Sequence, residues 1–285
     1  EIVSGQDATL QCSDGRELVD FYGGHATASL GYGHEALCQA ISKQAYELSF
    51  QSNAVDLAVR NKAADLLVEI APASLTQALF LNSGSEANEN ALRCAFLLTG
   101  RKKVVALKGA FHGRTAAASA CTDGNDSWYA FPQKAFEVEF VDADDELACL
   151  QALDDQTAAF IFEPVQGMAG AKVIAPNLLQ AMAARAKAKG ILLIADEVQS
   201  GVGRCGQAFA IESCGIEVDL LTTAKGLGGG FPCSALLLSS AVASEISPGM
   251  LGTSFGGSPM ACAAMITVIE SISAPGFLDN VLATE

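Results

Sequence analysis

The sequence predicts an α/β fold: a mostly parallel seven-stranded sheet with one antiparallel strand, flanked by helices. Three observations lead to it. Short β-rich runs alternate with stretches of helical periodicity along 285 residues, the order expected of a parallel sheet covered on both faces. The last two β-rich runs are joined by 226–232 alone, a link shorter than the dozen or so residues a parallel crossover needs, so the final strand should run antiparallel to its sequence neighbour. Half of the chain is hydrophobic and 17% is charged, which suits a compact protein with a substantial core.

Each element follows from its own pattern. Residues 1–50, with "FYGGHATASLGYGH", are glycine-rich and read as a loop-dominated lead-in. Apolar residues recur at three and four positions over 53–70, 86–99, 145–153, 177–189 and 259–272, the helical period. Strands are read at 77–83 ("QALFLNS"), 103–109 ("KVVALKG"), 136–142 ("FEVEFVD"), 158–165 ("AAFIFEPV"), 190–198 ("GILLIADEV"), 219–225 ("DLLTTAK") and 233–240 ("CSALLLSS"). No internal repeat, low-complexity tract or flexible linker interrupts them.

The balance of 17 basic against 32 acidic residues gives a net charge of −15, which argues against nucleic acid or an anionic membrane as a partner. Any anionic substrate then needs a local cationic site. No apolar run approaches the roughly 18 residues of a membrane span. Nine cysteines without a C-x-x-C pair and three histidines, His25, His34 and His112, offer no clustered zinc ligands. The cysteines read as reduced and packed, hence a cytoplasmic compartment. The chain opens at Glu1 without an initiator methionine, which leaves open that it is part of a longer protein.

Several motifs carry chemistry. In "DLLTTAKGLGGGFP" (219–232), Lys225 stands between an apolar run and four glycines. It is either a strand-end lysine whose ammonium reaches back to solvent or an amine kept as a nucleophile for a carbonyl compound. "NSGSEANENALRCAFLLTG" follows a strand and opens a helix. Ser83 and Glu86 have the capping-box spacing, while Gly84 and Ser85 leave bare N–H groups at a positive helix end, a phosphate cradle. "GILLIADEVQSG" ends a buried strand in Asp196 and Glu197, whose side chains leave on opposite sides. Asp196 shares the face of Leu192 and Ile194 and needs a cationic partner there. That partner is an arginine or a protonated ring nitrogen of a ligand, and strand carboxyl ends are where open α/β sheets bind ligands. "GVGRCG" (201–206) matches a dinucleotide fingerprint but lacks the strand, helix and ribose-binding acid that should surround it, so it reads as a surface loop. "GAFHGRT" offers Phe111, His112 and Arg114, an aromatic face beside a carboxylate-binding fork. "MLGTSFGGSP" places Thr253 and Ser254 at a helix-entry turn.

In this order, a phosphate cradle, a ring-stacking aromatic, a strand-end aspartate and a lysine 29 residues further on resemble the class III aminotransferases, which depend on pyridoxal 5'-phosphate. The resemblance covers nearly the whole chain, through "NSGSEANENAL", "FHGRT", "FEPVQG", "LLIADEVQSGVGR", "LTTAKGLGGGFP" and "GTSFGGSP". Within that family it is most similar to the acetylornithine and succinylornithine aminotransferases. It implies the aspartate-aminotransferase type of fold (PLP fold type I), with an N-terminal segment 1–50, a cofactor-binding large domain 51–272 and, at 273–285, the start of a truncated small domain.

The resemblance also implies roles. Lys225 would form the Schiff base with the cofactor aldehyde and then shuttle a proton, and Asp196 would bond the pyridinium nitrogen. Val198 and Phe111 would pack on the two ring faces, with Glu197 and Gln199 in the same cofactor-binding stretch and Gln199 at the ring hydroxyl. Gly84 and Ser85 would hold the phosphate, and Arg114 a substrate carboxylate. Thr253 and Ser254 would come from the neighbouring subunit of a homodimer. The implied reaction moves the terminal amine of N-acetylornithine or N-succinylornithine to 2-oxoglutarate by a ping-pong exchange, in arginine biosynthesis. Met168 departs from the pattern, since many relatives carry a glutamate there, and Ser254 replaces a threonine. The same resemblance therefore admits another class III ω-aminotransferase acting on putrescine, 4-aminobutyrate or another ω-amine, or an incomplete and weakly active piece.

Overall fold

The computed structural model of the protein describes residues 1–124 and 129–284. Its N-terminal part holds strands β1 (Ile2–Gln6), β2 (Thr9–Cys12) and β3 (Glu17–Val19), then helices α1 (Glu35–Glu47) and α2 (Ala58–Ile70). The main unit follows as β4 (Leu75–Leu81), α3 (Gly84–Thr99), β5 (Lys103–Leu107), α4 (Ala116–Ala120), β6 (Glu137–Val141) and α5 (Glu146–Ala152). It continues with β7 (Thr157–Phe162), the short pair β8 (Val165–Gln166) and β9 (Lys172–Val173), α6 (Pro176–Lys189), β10 (Leu192–Asp196), β11 (Leu220–Thr223) and β12 (Ser234–Ser239). Helices α7 (Ser240–Glu245), α8 (Pro259–Ile272) and α9 (Phe277–Ala283) close the described chain.

Seven strands form one sheet in the order β4-β12-β11-β10-β7-β5-β6. β10 runs parallel to β7 and β11, and β5 parallel to β6 and β7. β12 alone is reversed, pairing antiparallel with both β11 and β4, as its short link to β11 requires. The carboxyl ends of the other strands therefore share one end of the sheet.

Each face of the sheet has its own core. Phe160, Phe162, Leu193, Ala195 and Leu221 pack under α6 and α8 on one side. Ile161, Ile194 and Leu220 meet α3 on the other, through Ala87, Ala91 and Ala95. Alanine every fourth residue leaves α3 a low ridge that lies close on the strands. Ser83 caps this helix, its Oγ accepting the Glu86 N–H at 3.2 Å, and Gly100 ends it at φ 65°, the left-handed stop that favours glycine.

The first fifty residues correct the sequence reading. They form a three-stranded antiparallel meander and a helix rather than a loop-dominated lead-in. β1 and β3 are almost wholly exposed, so they carry none of the inward–outward alternation by which a strand is recognised. Among the described residues no single helix is long and apolar enough to cross a membrane; α8 and α9 reach that length only together, across a 67° bend.

Candidate active site

A cavity of about 350 Å³ opens at the carboxyl end of the sheet, where β10, β11, the loop after β5 and the start of α3 converge. Lys225 stands two residues past the end of β11 and lies on the cavity wall. Its backbone has φ 45°, the left-handed region, and the chain then turns through 225–228 to Gly229 at φ 58°. A lysine there is strained by about 1 kcal/mol relative to glycine. The turn is held because Ser29 Oγ donates to the Gly226 carbonyl at 3.0 Å. Burial lowers the Lys225 pKa from its ordinary value, while Asp196 and Glu163 pull it back up. The balance leaves more free amine at neutral pH than an exposed lysine would have.

Asp196 ends β10 on the same wall and is buried. Its Oδ2 accepts from Asn88 Nδ2 at 2.7 Å and faces His112 Nδ1 at 2.7 Å; its Oδ1 accepts the Val198 N–H at 3.0 Å. Among the described residues no arginine pairs with it. Asn88 is fixed in turn, since its Oδ1 accepts from Thr222 Oγ1 at 2.7 Å and its Nδ2 also donates to the His112 carbonyl at 2.7 Å. The sheet register makes this possible by pairing Asp196 with Thr222.

Gly84 and Ser85 bring the N-terminus of the 16-residue α3 to the cavity, where unpaired N–H groups and the helix dipole favour an anion. A Cβ on Gly84 would lie 2.7 Å from Val198 Cγ1, so glycine is what lets the helix end approach the cavity floor. Ser85 Oγ accepts the Arg114 N–H at 3.3 Å. Phe111, Val198 and Gln199 also line the cavity, and Gln199 lies so close over Gly167 that a Cβ there would overlap its side chain.

Four expected site residues lie elsewhere within this chain. Glu197 faces away from the cavity, a correction to its expected place in the cofactor-binding stretch. Its Oε2 accepts from Ser200 Oγ at 2.5 Å and its Oε1 accepts the Ile211 N–H at 2.6 Å; an extended chain sends adjacent side chains to opposite sides. Arg114 is exposed outside the cavity wall, and so is Ser254. Thr253 does not line the cavity itself; its Oγ1 accepts from Asn82 Nδ2, a lining residue, at 3.2 Å and from the Gly256 N–H at 3.2 Å.

His112, Asn88 and Glu163 also line the cavity, and the sequence reading gives none of them a role of its own. His112 is buried and its Nε2 has no partner among the described residues. Asn88 stands among the buried alanines of α3, and a polar residue on that apolar ridge is the signal that could have found it. Glu163 follows β7, lines the cavity and accepts the Phe111 N–H at 3.2 Å on Oε2.

Lys225 and the buried Asp196 thus share one cavity with a helix end that favours an anion, on a sheet with one reversed strand. The chain belongs to the class III aminotransferases: the family model "Aminotransferase class-III" matches residues 1–285. It is 40% identical over 281 residues to an acetylornithine aminotransferase of Streptomyces coelicolor, covering 98% of this chain and 69% of that one. A Methanopyrus kandleri protein of the same name is 39% identical, covering 95% and 70%. Among solved structures, an ornithine aminotransferase from Toxoplasma gondii superposes with a TM-score of 0.91 at 30% identity, covering 98% and 68%. A transaminase from the marine bacterium Virgibacillus does so with a TM-score of 0.91 at 25% identity, covering 98% and 69%.

Membership of this family implies pyridoxal phosphate, and the site's chemistry fits it. The helix end suits a phosphate, Asp196 suits a protonated ring nitrogen, and Lys225 suits an aldehyde.

Proposed function

We propose that this aminotransferase moves the terminal amine of N-acetylornithine, or of N-succinylornithine, to 2-oxoglutarate in a ping-pong exchange, within arginine biosynthesis. The observation that carries the proposal is the 40% identity over 98% of the chain to an enzyme named for that substrate, joined to a cavity holding both Lys225 and Asp196.

Pyridoxal phosphate, when bound, supplies a carbonyl carbon for amine exchange and a ring that takes up the electron pair of a deprotonated carbon. The chain supplies the rest. Lys225 would hold that carbonyl group through Nζ, and its free amine would serve as the base that moves a proton. Asp196, buried on the cavity wall, would keep a proton on the ring nitrogen. Ser85 and the α3 amides would bind the phosphate, and Phe111, Val198 and Gln199, which line the cavity, would hold the ring and its hydroxyl. Arg114 grips a substrate carboxylate at the rim. Thr253 and Ser254, outside the cavity of their own chain, serve the site of a second copy in a homodimer. Nine cysteines without a C-x-x-C pair favour a reducing, cytoplasmic setting.

Met168 favours a second reading, an ω-amine other than an acylated ornithine. It is 51% exposed and uncharged, so it cannot pair with a substrate-binding arginine as a glutamate could. Steady-state rates across N-acetylornithine, N-succinylornithine, ornithine, putrescine and 4-aminobutyrate test the proposal. The highest kcat/KM should fall on an acylated ornithine; a preference for a free diamine would replace the first reading with the second.

A further inference from the structure

β7 and β10 run side by side in parallel, with Phe162 paired to Ala195. The next residue along each strand is an acid, Glu163 on one and Asp196 on the other, so two carboxyl groups stand together at the carboxyl end of the sheet. They are 4% and 3% exposed, and both line the cavity that holds Lys225. Their surroundings are unequal. Asp196 is met by Asn88, His112 and the Val198 N–H, whereas among the described residues Glu163 receives only the Phe111 N–H, at 3.2 Å.

Two carboxyl groups in one dry site do not both carry charge cheaply, and the one with fewer donors keeps its proton. We propose that Glu163 is a positioning residue of the amine transfer, a carboxyl that holds a proton beside Asp196 and, once it has released that proton, stabilises the charged form of the Lys225 amine. The inference rests on the aminotransferase reading of the cavity. The groups facing Glu163 agree with it: burial above all, with the Asp196 charge, pushes its pKa up to about 7, against the opposing pull of His112, the Phe111 N–H and Lys225. Lys225 in turn feels Asp196 and Glu163, which favour its charged form, and Arg204, which opposes it. With Glu163 neutral the amine at 225 is released more readily as a free base. With Glu163 charged, the ammonium is favoured and nucleophilic attack slows.

Two measurements test this. In protein labelled with ¹³C at the glutamate carboxyl carbon, the Glu163 resonance is assigned by its loss in E163Q, or in E163D should E163Q fail to fold. It should titrate near neutrality; titration in the ordinary carboxylate range overturns the proposal. The second measurement is the rate at which added pyridoxal phosphate attaches to Lys225, followed by absorbance across pH. The profile of E163Q should move to lower pH by about one pH unit, because a nearby negative charge has been removed, while E163D keeps a profile close to the parent's. An unchanged E163Q profile also overturns the proposal. Absence of attachment in every form, the unsubstituted protein included, defeats the cofactor reading instead, and the carboxyl titration still decides whether Glu163 holds its proton.

Discussion

Asn88 Nδ2 and Asp196 Oδ2 are joined by a 2.7 Å hydrogen bond, and Thr222 fixes which way that amide faces. One oxygen of the aspartate is thereby occupied by side-chain partners, and the other is left with a single backbone donor. A helix, two strands and a loop meet in this one cluster, so the carboxylate cannot swing without breaking several bonds.

Removing the amide should loosen it. A hydrogen bond to a charged group contributes about 1.5–3 kcal/mol, so Asn88→Ala should weaken pyridoxal phosphate binding by roughly one to two orders of magnitude. Cofactor titration by absorbance checks this. Asn88→Ala with unaltered affinity would mean that Asp196 is held without the amide.

Gly84 is expected to tolerate no side chain. The 2.7 Å approach of a Cβ to Val198 Cγ1 meets a β-branched residue with little freedom to yield. Gly84→Ala should destabilise the protein by about 1–3 kcal/mol and weaken cofactor binding as well. Urea denaturation and cofactor titration measure the two effects.

Lys225 is strained where it stands. Exchanging it for glycine and for alanine removes the amine in both cases and leaves only the backbone to tell them apart. Lys225→Gly should be more stable than Lys225→Ala by about 1 kcal/mol, and both should lack transamination. Equal denaturation midpoints would show that the left-handed turn carries no strain.

The buried Glu197 should give stability a defined pH dependence. Burial pushes its pKa from 4.5 up to about 7, against the bonds from Ser200 and the Ile211 and Ala210 N–H groups. Between those two values the folded state binds more protons than the unfolded one, so stability falls as pH rises and levels off above about 7. The loss attributable to this group is about 3 kcal/mol. Comparing urea midpoints at pH 5 and pH 8 should show a smaller decline in Glu197→Gln than in the unsubstituted protein.

The legible part of this protein is the part where local pattern and tertiary demand agree. All seven strands of the main sheet were readable from apolar runs bounded by turns, and the reversal of β12 followed from the link 226–232 alone. β1 and β3 were not readable, because strands exposed on both faces have no alternation. At the site, the two sides taken by Asp196 and Glu197 followed from strand geometry, yet family likeness drew Glu197 to the cofactor. Asn88 and Glu163 escaped notice for a different reason. What they do depends on the pairing of β10 with β7 and β11, and register between distant strands is not written in either strand's own sequence.

The proposed activity requires a covalent bond at one lysine. Purified protein incubated with pyridoxal phosphate, reduced with borohydride and digested should yield a single pyridoxyl-bearing peptide containing Lys225, and Lys225→Ala should yield none. A pyridoxyl group on a different lysine, or its persistence in Lys225→Ala, would contradict it.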